Sequence, residues 1–403
     1  MLTTIIYRSH LSDDVPIKTL ETLAVDANKI NETFDVTGIL LFDGTHFFQL
    51  LEGPDRAVRA IYDRICADER HHNLVELMYD YAPARRFGNI GMELFDLRKY
   101  DKAMVLQAVL DKGTSKYQLT YDDRALQFLR TFVEAREKDN YFEIPAGETW
   151  NFVVDENLPP QDDIPFADFQ ECCFAFQPII DPLTQRIVSL EALIRTPQGG
   201  SPSEYFAQFP GEKIYAADIK AKGAAFALAK KLNIQGQTLS VNLLPMSLVL
   251  VPNAVELLLE EIYRNGLVPE QIVVEVTENE VISRIDEFST AIRQLKAAGI
   301  SIALDDFGAG FAGLSLLSRF QPDKIKIDRN IISDVHKSGP KQAIVHAIMK
   351  CCSSMEITMI AEGVEKAEEW MWLEAAGISN FQGFLFARPK FNGIPAIAWP
   401  EIQ

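Results

Sequence analysis

Five acidic residues recur at one kind of place in this chain. Glu191, Glu275, Asp305, Asp306 and Glu362 each stand at or near the C-terminal end of a short run rich in Ile, Leu and Val. Lys326 holds the matching position in KIKID (Lys324–Asp328). Side chains alternate along a strand, so Lys324, Lys326 and Asp328 share one face and Ile325 and Ile327 the other. In a barrel whose outside is covered by helices, the isoleucines point outward and Lys326 points into the lumen. The same parity turns Ser189 and Glu191, Ser240 and Asn242, Glu275, Asp305, Glu362 and Gln382 inward. Acids converging there without compensation would repel one another strongly, so a cation must sit among them. Carboxylate and amide oxygens suit hard or borderline ions such as Mg²⁺ or Mn²⁺. Asp305 and Asp306 are adjacent, one in the lumen and one at the exit of the strand, and could serve two metals.

The elements that must position these residues are legible between Glu171 and the C-terminus. Candidate strands are Phe174–Ile180, Ile187–Leu193, Leu239–Leu243, Ile272–Glu278, Ile302–Asp306, Lys324–Asp328, Thr358–Val364 and Phe381–Phe386. Alternation of such runs with helical ones predicts a TIM-like (β/α)8 barrel, whose sites assemble at the C-terminal ends of the strands. Only Asp181–Arg186 separates the first two runs, too short for a helical crossover, so they pair antiparallel.

The first hundred residues read β-α-β-β-α-β-β, a ferredoxin-like α+β pattern with one added strand. Runs at Val36–Phe42 and His46–Leu51 meet at Asp43-Gly44, a two-residue hairpin signal. Tyr7 and Gln49 fall on neighbouring strands, where each needs a hydrogen-bond partner. From Asp101 to Lys138 the spacing is helical. Thr120 and Asp123 offer an N-cap, and Leu126, Leu129 and Val133 with Phe128 and Phe132 form an apolar stripe that must pack on its own domain or on a partner subunit. The acidic, proline-containing Asp155–Pro165 marks a domain boundary. The expected organisation is a sensor domain over 1–97, a helical coupling segment over 98–150, a linker over 151–170 and the barrel over 171–403.

The chain has 403 residues, with 39 Lys plus Arg against 57 Asp plus Glu, a net charge of −18. That field opposes direct DNA binding and docking on anionic membranes. No run approaches the roughly 20 apolar residues of a membrane helix and no signal peptide is visible, so a cytoplasmic location is expected. The five cysteines show no C-x-x-C spacing, which speaks against a zinc site or a disulfide framework. Gly308, Gly310 and Gly313 match a dinucleotide fingerprint, but the acids immediately before them would repel a pyrophosphate. A Schiff-base role for Lys326 leaves the surrounding acids unexplained.

The second half resembles the EAL-domain cyclic di-GMP phosphodiesterases. The motifs are EAL (Glu191–Leu193), SVNL (Ser240–Leu243), EVTE (Glu275–Glu278), DDFGAGFAGL (Asp305–Leu314), KIKID, AEGVE (Ala361–Glu365) and QGFLFARP (Gln382–Pro389). The resemblance implies that Glu191, Asn242, Glu275 and Asp305 hold one metal and that Asp305, Asp306 and Glu362 hold a second. It gives Lys326 or Glu362 the proton of the attacking water, makes Glu365 and Gln382 supports of the site, and makes Gln177 and Arg195 substrate contacts. It further implies cyclic di-GMP as substrate, linear pGpG as product, and a homodimer through the EAL domain. Asn279, Phe384 and Thr196 depart from the family's usual Ser or Thr, Tyr and Trp, which bears on substrate affinity and loop geometry.

The first hundred residues resemble BLUF domains, blue-light sensors using FAD, through Tyr7, Asn31, VTG (Val36–Gly38), FFQLLEG (Phe47–Gly53), RRF (Arg85–Phe87) and Met92. That likeness implies that Tyr7 donates an electron and a proton to excited flavin, that Gln49 rearranges its hydrogen bonds to the ring, and that Asn31 holds the flavin carbonyl edge. Met92 belongs to the same cofactor set. Ile90 stands where many relatives have Trp. Together the resemblances imply a light-regulated cyclic di-GMP phosphodiesterase. The alternative is a catalytically silent EAL domain acting as a light-dependent protein-interaction regulator.

Overall fold

The computed structural model describes residues 2–16, 19–82, 84–88, 90–114, 123–155, 172–234, 236–277, 284–310, 313–319 and 321–401. The chain divides into two units. One comprises Met1–Ile144 with Asp334–Ala343, and the other Pro145–Ser333 with Ile344–Gln403.

In the first unit, strands β1 (Leu2–Leu11), β2 (Thr37–Phe42), β3 (His46–Pro54), β4 (His71–Ala82) and β5 (Gly91–Asp96) form one sheet in the order β4-β1-β3-β2-β5. Helices α1 (Leu20–Thr33) and α2 (Asp55–Cys66) complete the ferredoxin-like pattern, and β5 adds parallel to β2. The β2–β3 turn differs in detail from the expected Asp43-Gly44 pair. Its central residues are Gly44 and Thr45, because Asp43 N–H donates to His46 O at 3.2 Å and Gly44 takes φ +111°, a conformation open to glycine.

The expected single helical run after residue 101 is two helices, α3 (Lys102–Leu110) and α4 (Arg124–Val133). Asp123 caps α4 by accepting from the backbone N–H groups of Ala125 and Leu126, which satisfies donors the helix start leaves open and contributes about 1 kcal/mol. Thr120 lies outside the described residues. The stripe Leu126, Leu129, Phe132 and Val133 is buried with Ile6, Phe48 and Leu50 of its own unit's sheet, with Phe128 packed at the edge.

The second unit contains a closed eight-stranded barrel. Its strands are β7 (Cys173–Asp181), β8 (Arg186–Arg195), β9 (Thr238–Asn242), β10 (Ile272–Thr277), β11 (Ser301–Phe307), β12 (Lys324–Ile327), β13 (Thr358–Glu362) and β14 (Asn380–Gln382), closed by β14 pairing with β7. β7 runs antiparallel to both neighbours and the others are parallel, as the short Asp181–Arg186 connection requires. A short pair, β6 (Phe152–Val154) with β16 (Ala398–Pro400), and β15 (Lys390–Phe391) on β7 complete the strands of this unit. Helices α5 (Pro202–Phe206), α6 (Lys213–Lys231) and α7 (Ser247–Leu250) fall among the first three barrel strands and β10.

β9 and β12 end one residue earlier than the sequence suggests, β13 two and β14 four. β14 ends at Gln382, not at Phe386, because the chain at Gly383 lies against another backbone segment: a Cβ there would sit 2.0 Å from Val364 O. The lumen parity holds. Lys326 is 1% exposed, while Ile325 and Ile327 are buried on the opposite face. Most of the presumed linker lies outside the described residues, as do Glu278, Asn279, Phe311 and Ala312.

Candidate functional site

The C-terminal ends of β8 to β14 bring the expected residues to one point. The Nζ of Lys326 lies 3.0 Å from Glu191, 3.1 Å from Glu275, 3.2 Å from Asp305 and 3.3 Å from Glu362, each measured to a carboxylate oxygen. Glu191 is held from two sides by amides, with Asn242 Nδ2 donating to Oε1 and Gln382 Nε2 to Oε2, both at 2.7 Å.

Strict alternation would send Asp305 and Asp306 to opposite faces. They come together because Asp306 takes φ +54°, the left-handed region that Asp and Asn tolerate best among residues with a side chain, and because the β11–β12 ladder is irregular between Leu304 and Phe307. As a result two oxygen clusters overlap at Asp305. In Glu191–Glu275–Asp305 and in Asp305–Asp306–Glu362, one carboxylate oxygen from each residue lies within 4.8 Å of the others.

Burial and mutual repulsion act on the carboxylates of this cluster, and Lys326 opposes both. Burial pushes Glu275 up to about 8, helped by Glu191 and Asp305 and opposed by Lys326. Burial likewise holds Glu362 well above the carboxylate range, and it raises Asp306 with Asp305 adding to the effect. For Glu191 burial is outweighed by Lys326 and the two amides, and its pKa falls. Burial works against the Lys326 ammonium, but the carboxylates around it prevail and its pKa rises. Glu275 Oε1 is buried and accepts no hydrogen bond. An all-oxygen donor set with an orphaned carboxylate oxygen fits divalent cations.

The remaining expected residues make other contacts. Gln177 Nε2 donates to Ala387 O at 3.2 Å, and Arg195 turns Nη1 to its neighbour's carbonyl, Ile194 O, at 2.8 Å. Glu365 is exposed and pairs with Arg329 at 2.9 Å.

The first unit has a cavity of about 320 Å³ lined by Tyr7, Asn31, Gln49 and Met92, with Arg64 and Arg70 also on its wall. Antiparallel register sets Tyr7 opposite Gln49, and the phenol donates to Gln49 Oε1. Gln49 Nε2 reaches Met92 Sδ at 3.6 Å, and Asn31 Nδ2 donates to Gly91 O at 3.1 Å. Gly38 makes this arrangement possible, since a Cβ there would meet Asn31 Nδ2 at 2.6 Å and Met92 Sδ at 2.8 Å. Burial raises the Tyr7 hydroxyl well above its ordinary pKa, so it remains a protonated donor. An apolar cavity with convergent amides and a phenol at one edge and arginines on its wall fits a flavin nucleotide. Sequence reasoning missed Tyr62, whose ring lies 5.6 Å from that of Tyr7. Its helical position in α2 gave no signal of that contact.

Residues 166–389 match the family model of the EAL domain, more than half of the chain, and residues 2–93 match that of the sensors of blue-light using FAD. The chain belongs to the EAL-domain family and carries an N-terminal BLUF domain. This BLUF–EAL chain is 59% identical over 401 residues to the blue light- and temperature-regulated antirepressor BluF of Escherichia coli (strain K12), with 100% of each chain covered. The structure of Klebsiella pneumoniae BlrP1 with manganese and cyclic di-GMP at pH 6 is similar at a TM-score of 0.93 and 43% identity, covering 100% of both chains. BlrP1 with FMN and cyclic di-GMP but no metal ions matches at a TM-score of 0.87 and 39% identity, again over 100% of both chains. A stretch of 128 residues is 41% identical to the cyclic di-GMP phosphodiesterase PdeR of Escherichia coli (strain K12), covering 32% of this chain and 19% of PdeR. Among the described residues no helix is long and apolar enough to cross a membrane.

Proposed function

We propose that this BLUF–EAL chain hydrolyses cyclic di-GMP to linear pGpG with two divalent cations, Mg²⁺ or Mn²⁺, under the control of blue light absorbed by FAD in its first domain. The observation that carries the proposal is the convergence of Glu191, Glu275, Asp305, Asp306 and Glu362 on two overlapping oxygen clusters.

Bound cations would supply Lewis acidity toward the phosphodiester and make a water acidic enough to attack it. Glu191, Asn242, Glu275 and Asp305 would hold one cation, and Asp305, Asp306 and Glu362 the other. Gln382 and Asn242 keep the Glu191 carboxylate in a single orientation through their 2.7 Å hydrogen bonds. Lys326 or Glu362 would take up the proton of the water, once the field of the bound cations has drawn off the proton that its raised pKa retains in their absence. Glu365, through Arg329, steadies the loop after β13. Gln177 and Arg195 stand as contacts for the anionic substrate. In the first domain Tyr7 would give an electron and a proton toward the excited flavin, while Asn31 and Met92 frame the ring. Gln49 can exchange donor for acceptor, because its amide ends are nearly equal in shape and opposite in hydrogen bonding.

The test is pGpG production by the flavin-loaded chain with Mn²⁺, in darkness and under blue light, beside Asp305→Asn. Light-dependent turnover that the substitution abolishes is expected. Equal rates in both conditions would remove light control, and no hydrolysis in either would remove the enzyme.

A second reading is favoured by the 59% identity to a protein named an antirepressor. A light-dependent protein interaction as the chain's output requires no turnover. That output would survive Asp305→Asn unchanged.

A further inference from the structure

We infer that Asp218, a residue of α6, is a positioning residue for Asn242, the one uncharged member of the proposed ligand set. The inference rests on the two-cation reading above. Asp218 is 1% exposed on a helix whose buried positions, apart from Asp218 and Lys222, are apolar, among them Ala217, Ile219, Ala221 and Phe226. Its partner one turn on, Lys222, is 3% exposed and donates Nζ to Asp218 Oδ1. A buried ion pair contributes little stability that well-packed apolar side chains of similar volume would not supply. The carboxylate does something they could not. Its other oxygen, Oδ2, accepts from the backbone N–H of Leu244 at 2.9 Å and from Ser247 Oγ at 2.8 Å.

Those two donors lie in the turn that leaves β9 and at the start of α7, two and five residues after Asn242. On the other side Leu243 N–H donates to Glu275 O at 2.8 Å, which ties the exit of β9 to β10. Asn242 therefore leads directly into a stretch fixed by a ladder bond and a buried clamp. Its Nδ2 is spent on Glu191 Oε1, which leaves Oδ1 as the oxygen available to a cation. A carboxylate can present either of two charged oxygens. An amide has one neutral oxygen, so its affinity for a cation depends more steeply on orientation. The clamp supplies that orientation, and Lys222 holds the Asp218 carboxylate from its other oxygen.

The experiment titrates Mn²⁺ alone into the full chain, following free Mn²⁺ by electron paramagnetic resonance, with thermal unfolding measured on the same samples. Ser247→Ala removes one clamp bond and leaves the ion pair intact. The double variant Asp218→Asn/Lys222→Met removes the charge pair without stranding either partner. Ala221→Gly loosens α6 and touches neither. Ser247→Ala should weaken Mn²⁺ binding about 3- to 10-fold and the double variant about 10- to 100-fold, while Ala221→Gly lowers the unfolding temperature with unchanged Mn²⁺ affinity. Wild-type affinity in Ser247→Ala and in any double variant that folds overturns the inference. So does an Ala221→Gly variant that weakens Mn²⁺ as much as Ser247→Ala. A wild type that binds Mn²⁺ and leaves cyclic di-GMP intact overturns the proposed function but not the positioning, and a wild type that binds no Mn²⁺ overturns both.

Discussion

The Nζ of Lys326 stands 3.1 Å from Oε2 of Glu275, two ionisable groups sealed in the lumen of the barrel at 1% exposure each. Without cations Lys326 is the positive charge at the centre of this cluster, touching four carboxylates at once. Lys326→Met should therefore destabilise the metal-free protein by about 3 kcal/mol or more, since it strands buried acids. Part of that loss returns on adding Mn²⁺, which then meets no competing ammonium. Thermal unfolding of both proteins, with Mn²⁺ and with chelator, checks the pattern. An equal loss in both media would mean that Lys326 does not compete with cations.

The same cluster sets a pH dependence. Glu275 is pushed up to about 8 in the folded protein, and Glu362 is also raised. In the unfolded chain both return to about 4.3. A raised carboxyl binds its proton more tightly folded than unfolded, so its contribution is complete below the unfolded value and is lost as pH climbs toward the folded one. Metal-free protein should thus lose stability between roughly pH 4.3 and pH 8 through these groups. Excess Mn²⁺ should flatten or reverse that slope, because bound carboxylates must be ionised. Unfolding temperatures at a series of pH values, with and without Mn²⁺, read this directly. Parallel curves would contradict it.

How far the sequence reached follows from what each feature depends on. Alternation along a strand is fixed by the backbone, so Glu191, Glu275, Lys326 and Glu362 could be placed in the lumen from their neighbours alone. The convergence of Asp305 with Asp306 depends on one left-handed residue, which no periodicity reports. β14 stops at Gln382 because of a close approach between distant backbones, again invisible locally. The stripe on α4 announced that it would be buried but not against what. The ferredoxin-like order made the strands of Tyr7 and Gln49 neighbours, but the register that sets the two opposite each other carried no sequence signal. Asp218 and Lys222 carried a faint mark, a charged pair one turn apart in a helix of alanines, but the turn that Asp218 holds is remote in sequence.

The bend at Asp306 gives a substitution whose effects on folding and on function should separate. Asn tolerates the left-handed region as well as Asp does, so Asp306→Asn should leave the unfolding temperature of the metal-free protein nearly unchanged. It removes one charged oxygen from the cluster shared with Asp305 and Glu362. Hydrolysis of cyclic di-GMP should fall by about 100-fold or more, with a higher Mn²⁺ requirement. Asp306→Val must strain the backbone and should lower the unfolding temperature as well. If Asn and Val proved equally destabilising, the carboxylate and not the turn would be holding the strand.

Gly38 offers the corresponding test in the BLUF domain. Its φ needs no special freedom, so Ala is acceptable to the strand itself and β2 should still pair with β3 and β5. The added methyl must push on Asn31 Nδ2 and Met92 Sδ, found 2.6 Å and 2.8 Å from the Cβ position. Met92 is also the partner of Gln49 Nε2, so the push passes to the amide that faces the Tyr7 hydroxyl. Gly38→Ala should lower the fraction of protein that retains flavin several-fold and shrink the light-minus-dark absorbance difference of what remains. Gly88→Ala is the control, because the nearest atom its Cβ would meet, Lys112 O, is at 3.5 Å, an ordinary contact. Absorbance spectra of the three proteins, purified in parallel and recorded in darkness and after blue light, decide it. If Gly38→Ala kept both flavin and difference spectrum at wild-type size, the cavity between Tyr7, Asn31 and Met92 would not be where the ring binds.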